Sequence, residues 1–279
     1  MTVTIIGVGL MGGSLAISLR EKELAKYIIG VDNDGEHLQK AKSLGLIDEY
    51  CSLPEAIKKS TLVILAVPVD AMMVLLPKVL DLITGQVVMD MGSTKENLIT
   101  AIAGHPKKGR FVPTHPMWGT EYSGPEAAVS GGFVNKAVIL CNINEVDADA
   151  LALVKNLYQK IGMHLVYMEA RAHDLHAAYV SHISHITSFA LANTVLEKEK
   201  EEDAIFQIAS AGFESTVRLA KSNPDMWVPI FKHNRENVLD VLNEHISQLK
   251  KFKSCLEKEN YTYLKELIQN ANGIKKILE

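Results

Sequence analysis

The fold follows from residues 2–32, which read TVTIIGVGLMGGSLAISLREKELAKYIIGVD. Its opening run, Thr2–Ile6, is β-branched and apolar, which is typical of a buried strand. A helical segment, Ser14–Leu19, and a second apolar run, Tyr27–Val31, follow. Three glycines with the spacing G-x-G-x-x-G separate the first strand from the helix: Gly7, Gly9 and Gly12. Asp32 ends the second run, 20 residues after Gly12, so the stretch indicates a βαβ unit that binds a dinucleotide.

The glycine loop suits a pyrophosphate for physical reasons. Gly7 allows a tight turn, Gly9 has no Cβ to block the phosphates, and Gly12 lets the helix pack against the strand. The helix N-terminus adds unpaired N–H groups and a partial positive charge. The residues that we expect to contact the cofactor are Gly7, Gly9, Leu10, Met11, Gly12, Asp32, Val67 and Pro68. The alternative is a glycine-rich turn that binds nothing.

Two aspartates favour NAD over NADP. Asp32 can accept hydrogen bonds from the adenosine ribose. A 2′-phosphate would meet the negative charges of Asp32 and Asp34, and no arginine stands beside them. We therefore expect NAD as the cofactor.

Length and composition fit a cytoplasmic protein of two modest domains, with 279 residues. A net charge of −4 implies neither a nucleic-acid partner nor an anionic membrane surface. The cysteines are widely separated, as in a reducing cytosol, and Met1 leads into the first strand without a secretory signal. The apolar stretch 62–83 is interrupted by prolines and aspartates, so it predicts a strand and an amphipathic helix, not a membrane span.

Residues 1–168 alternate between strand and helix patterns. Beyond the opening unit, strand patterns cover 62–67, 87–90, 111–114, 137–141 and 164–167, and helical patterns cover 36–44, 54–59, 71–82 and 147–161. This alternation predicts an α/β domain with a Rossmann-type, doubly wound and mostly parallel sheet, which the last strand could close. Ligands of such sheets bind beyond the carboxyl ends of the strands.

Residues 169–279 show almost no strand pattern, so we expect an all-α second domain. Its predicted helices cover 170–198, 202–211, 214–221, 225–232, 234–256 and 260–278. Long amphipathic helices need a partner surface. We therefore expect a homodimer formed through this domain.

Two polar segments follow predicted strands, DMGSTK at 90–95 and THPMWGTE at 114–121. Ser93 would lie at the mouth of the cleft, although it could equally be the N-cap of the next helix. His115 would lie at the cofactor end of the sheet. Because the ordinary pKa of histidine suits proton transfer near neutral pH, His115 is a candidate base.

The predicted helix 170–198 carries four histidines: His173, His176, His182 and His185. At about 100° per residue, the first pair and the second pair point to roughly opposite faces. Only one pair can then face a cleft, and we favour His182 and His185. No carboxylate joins either pair at a spacing that binds a metal ion, so we expect no metal site.

Arg218 follows a predicted helix that ends at Gly212. Its guanidinium could grip a carboxylate with two hydrogen bonds. An ordinary surface arginine is the alternative.

These segments together resemble the prephenate/arogenate dehydrogenase family of tyrosine biosynthesis. The resemblance covers nearly the whole chain and is carried by GVGLMGGS at 7–14, DMGSTK at 90–95, THPMWGTE at 114–121, SHISH at 181–185 and GFESTVRLAKSNPDMW at 212–227. The sequence departs from the family where SHISH replaces the commoner SHLPH and at Glu214-Ser215, where an aspartate is frequent in the second position. The resemblance implies oxidative decarboxylation, in which a hydride goes to the nicotinamide and the ring carboxylate leaves as CO₂.

The resemblance also implies individual roles. His115 would accept the proton of the ring hydroxyl, and Ser93 would orient that histidine. Arg218 would hold a substrate carboxylate. The remaining expected pocket residues are His182, His185, Thr120 and Glu121. Family members that keep the second histidine of SHxxH, here His185, tend to accept prephenate, so the expected substrate is prephenate and arogenate is the alternative.

Two other functions fit part of the sequence. A β-hydroxyacid dehydrogenase would have a similar domain order, but such enzymes typically use a lysine on the helix after the sheet. Here that helix has histidines and no lysine before Lys198. A non-catalytic NAD sensor would bind NAD without oxidising a cyclohexadienyl substrate.

Overall fold

The computed structural model describes residues 1–200 and 205–277. The strands of its larger sheet are β1 (Thr2–Ile6), β2 (Tyr27–Val31), β3 (Glu49–Tyr50), β4 (Leu62–Leu65), β5 (Val87–Asp90) and β6 (Phe111–Val112). All pair in parallel, in the order β3-β2-β1-β4-β5-β6. This is the strand order of a Rossmann-type sheet, so the predicted doubly wound fold is confirmed.

Helices cover both faces of this sheet. They are α1 (Leu10–Glu21), α2 (Gly35–Ser43), α3 (Leu53–Lys59), α4 (Val69–Leu82) and α5 (Glu96–Ala101). Successive side chains of a strand point to opposite faces. Leu62 and Ile64 of β4 accordingly pack in the core under α1, whereas Val63 and Leu65 pack in the core under α4. A central strand that is buried on both faces explains the continuous apolar run in the sequence.

A second, smaller sheet carries the next segment of the chain. Its strands are β7 (Thr114–Pro116), β8 (Ala137–Cys141) and β9 (His164–Met168), with α6 (Ala148–Ile161) between the last two. The β7–β8 pair is antiparallel and the β8–β9 pair is parallel. The predicted strand 111–114 was therefore wrong in extent, because Pro113 has no N–H group and divides it between the two sheets. The strand at 164–167 joins the smaller sheet and does not close the larger one.

The rest of the described chain is helical. Its helices are α7 (Ala170–Ala177), α8 (Ile183–Glu199), α9 (Ala211–Val217), α10 (Pro224–His233), α11 (Arg235–Glu257) and α12 (Tyr261–Ala271). A π-helical turn, Ala178–His182, joins α7 to α8, and short 3₁₀ turns occupy Phe206–Ile208, Arg218–Lys221 and Asn272–Lys276. No helix in the described ranges is long and apolar enough to cross a membrane.

The predicted helix 202–211 is wrong in its described part. Residues 202–204 lie outside the described residues, and only a 3₁₀ turn, Phe206–Ile208, follows them. Ser210 is extended and stands at the N-cap of α9, a position that serine favours. Gly212 consequently lies inside α9 and does not end a helix.

Polar contacts join the two parts of the chain across the cleft. His233 Nε2 lies 2.5 Å from a carboxylate oxygen of Asp70, which also binds Lys232 at 3.1 Å. Asn97 Nδ2 donates to the backbone oxygen of His233 at 2.9 Å. These contacts hold α10 against α4 and α5.

Candidate active site

The glycine loop has the backbone geometry that a dinucleotide site requires. Gly7 has a φ of +94°, and a Cβ there would lie 2.4 Å from the backbone oxygen of Ala66. A Cβ on Gly12 would lie 2.0 Å from the backbone oxygen of Gly7. The nearest atom to a Cβ on Gly9 would be 3.9 Å away. The first and third glycines are thus required by the fold, while Gly9 leaves open space beside the loop.

The start of α1 can bind an anion. Among the described residues, no side chain caps the helix at Gly9. The first N–H groups of a helix have no partner within it. Those of Leu10, Met11 and Gly12 are therefore suited to a pyrophosphate.

Asp32 is joined to the loop by its carboxylate. One oxygen accepts from the N–H of Val8 at 3.0 Å, and the other accepts from the N–H of Asp34 at 3.0 Å. A carboxylate can accept about four hydrogen bonds, so capacity remains for a ribose. Val67 lies next to Gly7, where a Cβ would be 2.8 Å from its Cγ1, and Pro68 follows at the start of α4.

Asp90 and Lys95 form a buried ion pair at the end of β5. Neither side chain has exposed surface. One oxygen of Asp90 accepts from Lys95 Nζ and from the N–H of Gly92, and the other accepts from the N–H of Thr114 at 2.9 Å. The pair therefore ties the turn after β5 to β7, and so fixes the position of the next residue, His115.

His115 is connected to the helical part by a line of hydrogen bonds. Its Nδ1 lies 2.8 Å from Nε2 of His173, and Nδ1 of His173 lies 2.7 Å from Oδ1 of Asp174. Asp174 also accepts from the backbone N–H groups of Lys95 and Glu96, at 2.8 and 2.9 Å. The carboxylate of Asp174 thus caps α5 while it holds His173.

Burial keeps the imidazole of His115 neutral. Loss of solvent lowers its pKa well below the ordinary value, and the nearby His173, Lys95 and His182 lower it further. A neutral imidazole retains one nitrogen lone pair. At neutral pH His115 can therefore accept a proton.

The structure corrects the predicted faces of the histidines. His173 and His182 are both 1% exposed and both lie near His115. The π-helical turn that ends at His182 places extra chain in one turn, so His182 is no longer opposite His173, whereas His176 is exposed. No group of three or more His, Cys, Asp or Glu side chains in residues 1–200 and 205–277 could hold a metal ion.

His182 is neutral and its tautomer is fixed. Its pKa is lowered to about 4, chiefly by burial. Nδ1 of His182 lies 3.1 Å from Nδ2 of Asn234, and that amide also donates to the backbone oxygen of Asp174 at 2.6 Å. Because the amide nitrogen is a donor, Nδ1 accepts and Nε2 carries the proton.

His185 stacks on a buried tryptophan. Its ring centroid lies 3.5 Å from that of Trp227, and its Nδ1 lies 3.0 Å from the backbone oxygen of Ser181. Burial and the charge of Arg218 lower the pKa of His185. Nε1 of Trp227 is buried and has no hydrogen-bond partner among the described atoms.

Arg218 is half exposed, with 51% of its side chain in contact with solvent. It donates to a carboxylate oxygen of Glu121 at 3.1 Å. A backbone N–H and the charges of Arg218 and Lys221 lower the pKa of Glu121. Thr120, in the same loop, accepts from the N–H of Tyr122 at 3.3 Å. The guanidinium is therefore accessible and can bind an anion.

Ser93 lies partly exposed in the turn between β5 and α5. It is not the N-cap of α5, because that helix begins at Glu96 and its first N–H groups are bound by Asp174. The N-cap alternative was therefore wrong.

The sequence alone does not select five residues that the structure brings to the site: Lys95, His173, Asp174, Trp227 and Asn234. The adjacent histidine and aspartate at 173–174 were a signal, since an Asp beside a His can hold an imidazole. An assumed unbroken α-helix directed His173 away from the cleft and hid that signal.

Two family models match successive parts of the chain. "Prephenate dehydrogenase, nucleotide-binding domain" matches residues 15–167, and "Prephenate dehydrogenase, dimerization domain" matches residues 169–270. Together they span well over half of the sequence.

Named relatives are similar over nearly the whole chain. Prephenate dehydrogenase of Bacillus subtilis (strain 168) is 32% identical over 98% of this chain and 75% of its own length. Cyclohexadienyl dehydrogenase of Zymomonas mobilis is 30% identical over 99% of this chain and 96% of its own length. A solved structure, prephenate dehydrogenase from A. aeolicus in complex with hydroxyphenyl propionate and NAD+, superposes with a TM-score of 0.91. It is 32% identical, with 100% of this chain and 98% of that chain covered.

Proposed function

Because the chain belongs to the prephenate dehydrogenase family, we propose that it converts prephenate to 4-hydroxyphenylpyruvate with NAD, in tyrosine biosynthesis. The observation that carries the proposal is His115, a buried neutral imidazole whose Nδ1 is bound to His173. Its Nε2 is left to act as a base on β7 of the smaller sheet, which Asp90 ties to the end of β5 in the sheet that carries the dinucleotide loop. The cytoplasm suits this enzyme, whose cysteines are free thiols.

NAD, held by the glycine loop and Asp32, supplies the hydride acceptor. His115 takes the proton of the ring hydroxyl as the hydride leaves the same ring carbon. The ring carboxylate then leaves as CO₂, its bonding electrons make the ring aromatic, and the ring oxygen recovers the proton from His115. No net proton is released. Since aromatisation makes the reaction favourable, the protein supplies mainly orientation, one base and cationic contacts.

The other pocket residues have complementary roles. We propose that Ser93, which is partly exposed in the turn after β5, orients His115, as the resemblance to the family implies. His182 presents an N–H group, whereas His185, whose Nδ1 donates to a backbone oxygen, presents an acceptor. Arg218 holds a carboxylate of the substrate. Thr120 and Glu121 line the entrance.

Arogenate is the second candidate substrate, since one close relative is named a cyclohexadienyl dehydrogenase. The deciding experiment measures NADH formation with prephenate and with arogenate, and identifies the products by mass. We expect a higher kcat/KM for prephenate and 4-hydroxyphenylpyruvate as product. A large preference for arogenate would mean that arogenate, and not prephenate, is the substrate. No turnover of either compound would refute the proposed function.

Replacing Arg218 with alanine is expected to raise the KM for prephenate by about 10- to 100-fold, because a hydrogen bond to a charged group contributes about 1.5–3 kcal/mol. The KM for NAD should stay near that of the wild type. Steady-state kinetics with each substrate varied in turn measures both values.

Lys221→Ala is the matched control for the loss of a cation. Lys221 is an exposed cation of the same 3₁₀ turn, and its charge also acts on Glu121. It should leave the KM for prephenate nearly unchanged. Equal effects of the two variants, or no effect of Arg218→Ala, would contradict a specific carboxylate contact.

We infer that residues 1–168 form the dinucleotide-binding domain and residues 169–279 a helical domain that binds substrate and forms a homodimer. Apolar side chains on α11 and α12 support the dimer, since Leu249, Leu256 and Ile268 are each at least half exposed. Analytical ultracentrifugation at micromolar concentration should give a dimer. A stable monomer would contradict the inference.

A further inference from the structure

We propose that His173 and Asp174 are positioning residues that keep His115 in its proton-accepting tautomer and share the proton after His115 takes it. The roles rest on the proposed function, in which His115 is the base. They are carried by the continuous line of short contacts from His115 through His173 to Asp174. All three residues are at least nine-tenths buried, so water does not compete for these hydrogen bonds.

The end of the line fixes the direction of each hydrogen bond. The carboxylate of Asp174 accepts from the backbone N–H groups of Lys95 and Glu96 at the start of α5 and, as an acceptor, also accepts from His173. His173 therefore carries its proton on Nδ1, and its Nε2 accepts from His115. Neutral His115 then carries its proton on Nδ1. Its Nε2 keeps the lone pair that takes the substrate proton.

The same line stabilises the site after proton transfer. In this buried position an isolated imidazolium would be poorly solvated. Protonated His115 can pass its Nδ1 proton to Nε2 of His173, so that one N–H bond breaks as the other forms. The positive charge then lies next to the carboxylate of Asp174. When the ring oxygen recovers its proton, the transfer reverses, and no further acceptor is required.

The other titratable groups near His115 already have partners, so Asp174 is the group that balances the positive charge after proton transfer. The titratable side chains that act on His115 are His173, Lys95 and His182. Lys95 is paired with Asp90, and His182 is neutral with its Nδ1 bound to Asn234. The contact between the Asn234 amide and the Asp174 backbone oxygen also holds α7 in place.

The test compares His173→Leu, His173→Gln and Asp174→Asn with the wild type. Glutamine provides an oxygen that can accept from Nδ1 of His115 but cannot take a proton there, whereas leucine provides no acceptor. The asparagine amide can donate to His173 and so reverse the hydrogen bonds. His176→Gln is the control, because His176 is an exposed histidine of the same helix. The measurements are the single-turnover rate of NADH formation from prephenate as a function of pH and the Kd for NAD.

We expect His173→Leu and Asp174→Asn to slow the reaction by about 100-fold or more near neutral pH, with an unchanged Kd for NAD. His173→Gln should recover part of the rate. Without the carboxylate at the end of the line, protonated His115 is less stable, so the acidic limb of the rate profile should move to lower pH. A purely structural role would lower the plateau and leave the limb in place.

A wild-type rate and an unmoved limb in His173→Leu would overturn the proposal. So would equal losses in the glutamine and leucine variants together with a weakened Kd for NAD. If Asp174→Asn fails to fold, the two His173 variants decide the question. Failure of the proposed function is distinct, since the wild type itself would then form no NADH from prephenate.

Discussion

His115→Asn should lower kcat by about 10²–10⁴ with little change in the Kd for NAD, because it removes the proposed general base. Asparagine cannot accept the hydroxyl proton. Its amide can still donate to Nε2 of His173, the contact that Nδ1 of His115 makes in the wild type. The buried line of hydrogen bonds can therefore persist, which separates loss of the base from loss of the fold.

Stopped-flow measurement of NADH formation and a fluorescence titration with NAD check this result. His164→Asn is the matched control, since His164 is an exposed histidine of the same small sheet. It should leave kcat unchanged. A His115→Asn enzyme with the wild-type kcat would exclude His115 as the base.

Replacing Lys95 with methionine should lower the free energy of unfolding by about 3–5 kcal/mol, because it leaves a buried carboxylate without its cation. The Asp90 side chain has no exposed surface, so water cannot replace the ammonium group. Asp90 also holds the N–H of Thr114. The loss should therefore loosen the strand that carries His115 and reduce activity as well.

Denaturant unfolding of the wild type and of Lys95→Met measures the change in the free energy of unfolding. Lys59→Met is the matched control: Lys59 pairs with Glu49 at the surface, where an ion pair contributes about 0–1 kcal/mol. The double variant Lys95→Met/Asp90→Asn should recover part of the loss, because the amide removes the unpaired charge and keeps an acceptor for Thr114. Wild-type stability of Lys95→Met would contradict the buried pair as a structural element.

Local sequence patterns correctly predicted the strands whose formation depends mainly on neighbouring residues. The observed bounds of β1, β2, β5 and β8 match the predicted strands, because apolar runs between turn residues specify buried strands directly. Long-range contacts were not predictable in this way. Asp174 caps α5 although it lies 79 residues after Lys95 and 78 residues after Glu96 in the chain. No spacing rule reveals such a contact.

Small departures from regular geometry account for the errors about the site. Pro113 divided one predicted strand, and this break places His115 on the smaller sheet. The π-helical turn, which ends at His182, rotated His182 relative to His173 of α7. Neither proline nor glycine marks that turn, so an unbroken helix was the natural prediction. Both departures lie at the cleft, where function constrains geometry more than propensity does.

The most direct measurement is a crystal structure of this chain with NAD and hydroxyphenyl propionate. It gives the distance between the phenolic oxygen and His115 Nε2. If His115 is the base, that oxygen lies about 2.6–3.2 Å from His115 Nε2, while Nδ1 stays bound to His173. A phenolic oxygen held elsewhere, with Nε2 of His115 facing only protein atoms, would contradict the assignment.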